Sequence, residues 1–215
     1  MNPEPSHSAD ARQRLLDTAE RLFAERGFAG TSVREITDAA AANLGAVNYH
    51  FQSKENLYTE VFARRVAELR EPIAAVAKET GTIARERPDE ALRAFGRVFL
   101  APHKRRDTSL RIVGLFAREM IEECLPAGYL RRELRRPTAG ALTGLLQRVR
   151  PDMAEPVAHA CAESFLAQLM HIVKGAGEAV GAVDEQLEHA VRFTVAAVRH
   201  IEGAPRRGAR SHLQP

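Results

Sequence analysis

The sequence predicts an all-α fold of about nine helices, and three observations carry that expectation. Ala, Leu, Arg and Glu, all good helix formers, dominate the 215 residues. Aromatic side chains make up only 6% and tryptophan is absent, which disfavours a sandwich or barrel. Apolar residues recur at three- and four-residue spacing between Gly and Pro breaks, and at 45% apolar composition the chain can bury a core of ordinary size. No apolar run is long enough for a membrane span.

The elements follow in order. From about Ala9, the residues Leu15, Leu16, Ala19, Leu22 and Phe23 form one stripe of an amphipathic helix, which Gly27 ends as a C-cap. Ser32 with Glu35 three positions on matches a capping box, so a second helix runs from there to about Ala40 with Val33 and Ile36 inward. Asn43 is a suitable N-cap for a very short third helix, Leu44 to His50, with Val47 and Phe51 spaced to face the core. Ser53 can cap a fourth, whose Leu57, Val61, Phe62, Val66 and Leu69 continue the stripe to about residue 78, with a kink expected at Pro72.

Five further helices are expected at about 90–104, 109–124, 128–149, 153–174 and 183–202. Their breaks are Pro102 with its basic cluster, Leu125-Pro126-Ala127-Gly128, Arg150-Pro151-Asp152, and the glycines at 175, 177 and 181. Pro137 challenges the continuity of the third of these. Residues 203–215 have little to bury and are expected to form a disordered basic tail.

Charge is unevenly spread. Residues 1–60 hold 6 Lys/Arg against 9 Asp/Glu, and residues 61–150 hold 19 against 11. A nucleic-acid footprint in the first sixty residues must therefore consist of a few local contacts rather than a broad basic face. Cys124 and Cys161 are too far apart in sequence, and too few, for a disulfide scaffold or zinc knuckle. The first ten residues lack the apolar segment of a secretory signal, so a cytoplasmic setting is expected.

Two short helices a few residues apart, the second led by the small edge Leu44-Gly45-Ala46, have the form of a helix-turn-helix: the first braces, the second enters a major groove about 12 Å wide. A glycine inside a helix costs roughly 1 kcal/mol relative to alanine, so Gly45 in the first turn points to close approach of a neighbour. Thr31 and Ser32 offer hydroxyls and free N–H groups to a phosphate at the start of the second helix.

The segment from Gly27-Phe28-Ala29-Gly30-Thr31-Ser32-Val33-Arg34-Glu35-Ile36 through Leu44-Gly45-Ala46-Val47-Asn48-Tyr49-His50-Phe51-Gln52-Ser53-Lys54-Glu55-Asn56-Leu57 resembles the DNA-binding segment of the TetR (tetracycline repressor) family. The resemblance is strong over about residues 10–60 and architectural beyond. Ala41 departs from it, standing where many members have Gly in the turn.

The resemblance implies a division into a DNA-binding domain at 9–57 and a ligand-binding and dimerisation domain at 58–202. It implies that Arg34, Leu44, Gly45 and His50 approach base edges, and that Ala46, Asn48, Tyr49 and Lys54 lie near the sugar-phosphate backbone. The chemistry agrees: Arg forks onto guanine, and Asn, Tyr and Lys donate to phosphate oxygens. Thr31 and Ser32 complete the expected DNA-binding set.

Between Val157 and Val173 apolar residues appear on nearly every side, as suits a helix covered by its own core and by a second chain. Val157, Cys161, Phe165 and Leu169, with Leu187, Val191, Thr194 and Val198 of the last helix, form the expected interface, which the resemblance makes a four-helix bundle in a homodimer. Polar residues inside apolar patterns, Arg118, Glu119, Glu122, Glu163, Gln168 and His171, are the candidates for holding a small-molecule effector, because such groups are costly to bury unpaired. His159 and His171 lack a third ligand at suitable spacing, so no metal is expected, nor any other cofactor. The basic run Arg131, Arg132, Arg135 and Arg136 reads as a solvated surface.

The expected function is that of a dimeric transcriptional repressor which binds a palindromic double-stranded operator and is released by an inducer. An activator or global regulator of the same fold is the alternative within the class. A helical enzyme or ligand carrier is the alternative outside it, and no GxSxG, P-loop, HExxH or Rossmann pattern supports catalysis.

Overall fold

The structure, a computed structural model, describes residues 5–101, 106–175 and 180–201; the tail expected at 203–215 lies outside them. The described residues form nine α-helices and no strand: α1 Pro5–Arg26, α2 Val33–Ala39, α3 Ala46–Phe51, α4 Lys54–Thr80, α5 Pro88–Leu100, α6 Arg106–Glu122, α7 Arg136–Val149, α8 Glu155–Gly175 and α9 Val180–His200. No described helix is long and apolar enough to cross a membrane.

By contact the chain divides into two compact units. One holds the residues up to Pro72 together with Leu100–Pro137, and the other holds Ile73–Phe99 with the residues from Thr138 onward. The division does not fall at residue 57, because α6 packs along α1 and so joins the first unit.

The core of this first unit gathers Leu15, Leu16, Ala19, Leu22 and Phe23 from α1, Ile36 from α2, Val47 and Phe51 from α3, Leu57, Tyr58, Val61 and Phe62 from α4, and Leu115 from α6. The stripes read from the sequence are the faces that meet here. Buried Glu20 of α1 sits between two guanidiniums of α4. Arg64 Nη2 lies 2.6 Å from its Oε2, and Arg65 donates from Nε and Nη2 at 2.7 and 2.5 Å. A buried carboxylate is tolerated when it is paired and hydrogen-bonded in this way, and breaking such a pair is strongly destabilising.

Local signals explain the helix ends. The Ser32 hydroxyl accepts from the Glu35 N–H at 3.2 Å while the Glu35 carboxylate accepts from the Ser32 N–H at 2.8 Å, a complete capping box for α2. Its other end closes with Ala41 N–H to Asp38 O and Ala42 N–H to Thr37 O, a Schellman motif that puts Ala41 at φ +49°. Arg14 of α1 donates to the Ala40 carbonyl at 3.2 Å, adding a cation at the same terminus.

Two expectations require correction. Asn43 is not the N-cap of the third helix: its side chain accepts from Gly45 N–H at 2.9 Å in an Asx turn, Gly45 takes the cap position, and the helix begins at Ala46. Leu44 and Gly45 thus belong to the turn. The helix expected at 128–149 contains a π-helical turn, Arg131–Arg135, directly before α7. Pro137 has no N–H for the Glu133 carbonyl, and Arg70 donates to that oxygen at 3.4 Å.

In the second unit α8 and α9 pack against each other. Cys161, Phe165 and Leu169 on α8, with Leu187, Val191, Thr194 and Val198 on α9, are buried within the single chain, and Val157 is half-buried. The face expected to meet a second chain is therefore mostly spent on this chain's own core. The apolar residues left outward on the two helices are different ones: Ala160, Ala167, Met170, Phe193 and Ala196. Arg93 of α5 forks onto Glu188 of α9 at 2.5 and 2.8 Å, and Gly96 lets the Leu187 side chain lie against the α5 backbone.

The left-handed backbone at Ala41 costs an L-residue about 1 kcal/mol, which glycine does not incur. Ala41→Gly is expected to raise the thermal midpoint by roughly 2–4 °C; a lowered midpoint in a calorimetric scan would contradict the assignment of strain to this turn.

Candidate nucleic-acid interface

The third helix has only six residues, too few to hold together in water alone. Val47 and Phe51, at 1% and 3% exposure, anchor it in the core of the first unit, and the Arg12 guanidinium covers the Phe51 ring at 5.2 Å. With the inner face fixed, the outer face is determined: Leu44 is 61% exposed and Tyr49 76% exposed, with Asn48 and Gly45 also open to solvent. Large apolar and aromatic side chains held outward by a rigid, core-anchored element are the mark of a contact surface. His50 is half-buried and meets the Tyr49 ring edge-on at 4.8 Å, and Ala46 is half-buried beside them.

On α2, Arg34 is exposed and loosely paired with Asp38 at 4.0 Å, a separation at which little binding energy is lost if the guanidinium swings to another partner. Ser32 is exposed, but its hydroxyl and N–H both face Glu35. The Ser32 N–H first, then its hydroxyl and the Arg26 guanidinium, hold the Glu35 carboxyl below the usual carboxylate range.

Thr31 does not share this surface. It is buried, and its hydroxyl lies within hydrogen-bond distance of the Gly27 and Leu22 carbonyls, at 2.9 and 3.3 Å, where it stitches the α1–α2 turn. Lys54, at the first position of α4, is half-buried: its Nζ donates to the Phe28 carbonyl at 2.6 Å and lies 4.0 Å above the Phe28 ring.

The residues expected to hold an effector fall into two separate groups. Those on α6 are committed within the first unit. Arg118 caps the end of α1, donating to the Ala24 and Glu25 carbonyls at 3.0 and 2.6 Å. Glu122 accepts from the Phe28 N–H at 2.7 Å. Glu119 is buried and accepts from the Tyr58 hydroxyl at 3.0 Å, Cys124 N–H at 3.1 Å and Leu125 N–H at 2.9 Å. Burial, and then the neighbouring Glu119 carboxylate, push the Tyr58 hydroxyl upward, which keeps it a donor. In this structure all three fasten α6 to the first unit.

Glu163, Gln168 and His171 lie on α8 in the other unit. Glu163 sits 3.9 Å from His159, Gln168 bonds back to the Ser164 carbonyl at 3.4 Å, and His171 is exposed. Among the described residues no three His, Cys, Asp or Glu side chains gather as a metal site would require. Cys161 is buried, and burial, reinforced by Glu119 and Glu122, raises the half-buried Cys124 thiol above its ordinary value.

An exposed short helix on a buried anchor, preceded by a capped helix and a tight turn, is a helix-turn-helix in geometry as well as in spacing. Residues 15–61 match the family model of bacterial regulatory proteins, tetR family. Over these residues the chain is similar to the N-terminal DNA-binding domain of that family.

Over 65 residues the chain is 45% identical to the HTH-type transcriptional repressor KstR2 of Rhodococcus jostii, covering 28% of this chain and 32% of that repressor. The match thus spans about a third of the relative's length. Two solved structures share the tetR-family fold along most of the chain. The TetR-family regulator SCO4454 of Streptomyces coelicolor superposes with a TM-score of 0.66 at 20% identity, covering 88% of this chain and 96% of that one. SmeT, the repressor of the Stenotrophomonas maltophilia multidrug efflux pump SmeDEF, superposes with a TM-score of 0.63 at 22% identity, covering 87% and 91%. A SmeT–triclosan complex matches with a TM-score of 0.61 at 19% identity, covering 87% and 90%.

If Glu119 fastens α6, Glu119→Ala leaves a buried hydroxyl, a buried N–H and a half-buried N–H without acceptors. A loss on the order of 3–5 kcal/mol is expected, seen as a drop of about 10 °C in the thermal midpoint. A midpoint within a degree of wild type would return Glu119 to the set of ligand candidates.

Proposed function

We propose that the protein is a dimeric transcriptional repressor whose segment 9–57 reads a palindromic double-stranded operator, and whose segment 58–202 pairs two chains and takes a small-molecule inducer. The observation that carries the reading is the outward display of Tyr49 on a helix whose other face is locked into the core, with Leu44 exposed in the turn that leads into it. Arg34, Gly45, Asn48 and His50 supply the remaining base-edge and backbone contacts; Leu44 offers apolar contact to a thymine methyl and Arg34 a fork for guanine. Ala46 lets the helix approach closely. The naming of the matched relatives as repressors favours repression over activation.

Doubling is required because one short helix reads only a few base pairs; two, set about 34–36 Å apart, read a palindrome. The exposed apolar residues of α8 and α9, with Met170 at 45% and Phe193 at 57% exposure, are the surface best suited to the second chain, in place of the buried set read from the sequence. Glu163, Gln168 and His171 stay proposed as polar contacts for the effector, and the triclosan complex of SmeT supports an apolar compound as its class. The inducer acts by preferring a head spacing that the operator does not.

Duplexes selected from a random pool by the wild-type protein are expected to be inverted repeats. Arg34→Ala should weaken binding by about 1–3 kcal/mol and relax the preference at one position of each half-site. Phe193→Asp should sediment as a monomer and lose most of its operator affinity while keeping its helical signal. Selection of no common sequence would refute the reading.

A further inference from the structure

Phe28 lies in the turn between α1 and α2 and is gripped from two helices. Its N–H donates to the Glu122 carboxylate of α6 at 2.7 Å, and its carbonyl accepts from the Lys54 ammonium of α4 at 2.6 Å. Its ring packs at 5.0 Å against Tyr58 and 6.0 Å from Phe23, and presents its face to the same ammonium at 4.0 Å. The approach of Glu122 is built into the turn: Gly27 adopts φ +79°, and a Cβ there would overlap the Glu122 Oε1. Only glycine meets both conditions.

An unrestrained lysine at a helix start is a mobile point charge that pays side-chain entropy on meeting a phosphate. Here one of the three ammonium hydrogens is directed to the Phe28 carbonyl and the charge rests on the ring, so the head group is already placed at the N-terminus of α4. The carbonyl and ring are in turn fixed by what holds the Phe28 N–H. We infer that Glu122, a residue of α6 outside the helix-turn-helix, is a positioning residue for DNA binding: through Phe28 it sets Lys54 for contact with an operator phosphate. The inference rests on the DNA-binding reading above.

A charge argument alone predicts the opposite sign, because an acidic residue near a phosphate contact repels DNA and its removal should tighten binding. The salt dependence of affinity separates the two. Each phosphate neutralised contributes about −0.9 to the slope of log affinity against log salt concentration on duplex DNA. On the duplex selected by the wild-type protein, Lys54→Met is expected to make the slope shallower by about 1.8, about 0.9 for each of the two chains bound. Glu122→Ala, which leaves the Phe28 N–H without its acceptor, should do the same with Lys54 still present, and the Glu122→Ala/Lys54→Met pair should show no further change.

Glu122→Asp keeps the charge and shortens the reach by one methylene, so it should behave as Glu122→Ala does; it keeps the test usable if the neutral variant unfolds. Far-ultraviolet circular dichroism identifies the variants that remain folded. A wild-type slope in the folded Glu122→Ala and Glu122→Asp variants, tighter binding by Glu122→Ala, or additive effects in the pair would overturn the inference. Absence of specific binding by the wild-type protein would instead refute the DNA-binding reading on which it rests.

Discussion

The burial of Val47 and Phe51 is the constraint on which the rest depends. A six-residue helix makes too few internal hydrogen bonds to repay the ordering of its backbone, so α3 exists because two of its side chains leave water for a core built by α1, α2 and α4. The same anchoring decides what the helix shows. With the inner face occupied, Leu44, Asn48 and Tyr49 have no direction but outward. Their exposure is a cost the isolated protein gains nothing by, and a partner surface gives it a purpose.

Around that core the charged residues act as fasteners. Glu20 binds α1 to Arg64 and Arg65 of α4, and α6 is tied to the same body by Arg118, Glu119 and Glu122, each bonded to a different part of it. Such groups are expensive to bury and strongly directional, which is the combination that fixes one arrangement of helices rather than a family of near-equal packings. The body that holds α3 is therefore not merely the first fifty residues: a helix half the chain away is part of it.

Much of this was legible in the sequence because the signals are local. The capping box of Ser32 and Glu35, the Gly27 terminus and the stripes of α1 and α4 each involve residues within a few positions of one another, and each is present in the structure. The start of α3 was misplaced because asparagine serves equally as an N-cap and in an Asx turn, and only the backbone tells which. Arg118, Glu119 and Glu122 stand out as polar residues in an apolar pattern, but the partners of Arg118 and Glu122, and Tyr58 among those of Glu119, lie some sixty to ninety positions away, and no spacing rule links Glu122 to Phe28. Periodicity marks the inward face of α8 as buried, but does not say which chain buries it.

The central claim is that the exposed face of Leu44 through His50 enters a major groove. Methylation protection tests it most directly, because the guanine N7 lies in the major groove and the adenine N3 in the minor. The account predicts protection of guanine N7 in two blocks one helical turn apart, with adenine N3 left reactive between them. Protection confined to adenine N3, or guanine N7 left open across a specifically bound site, would contradict it.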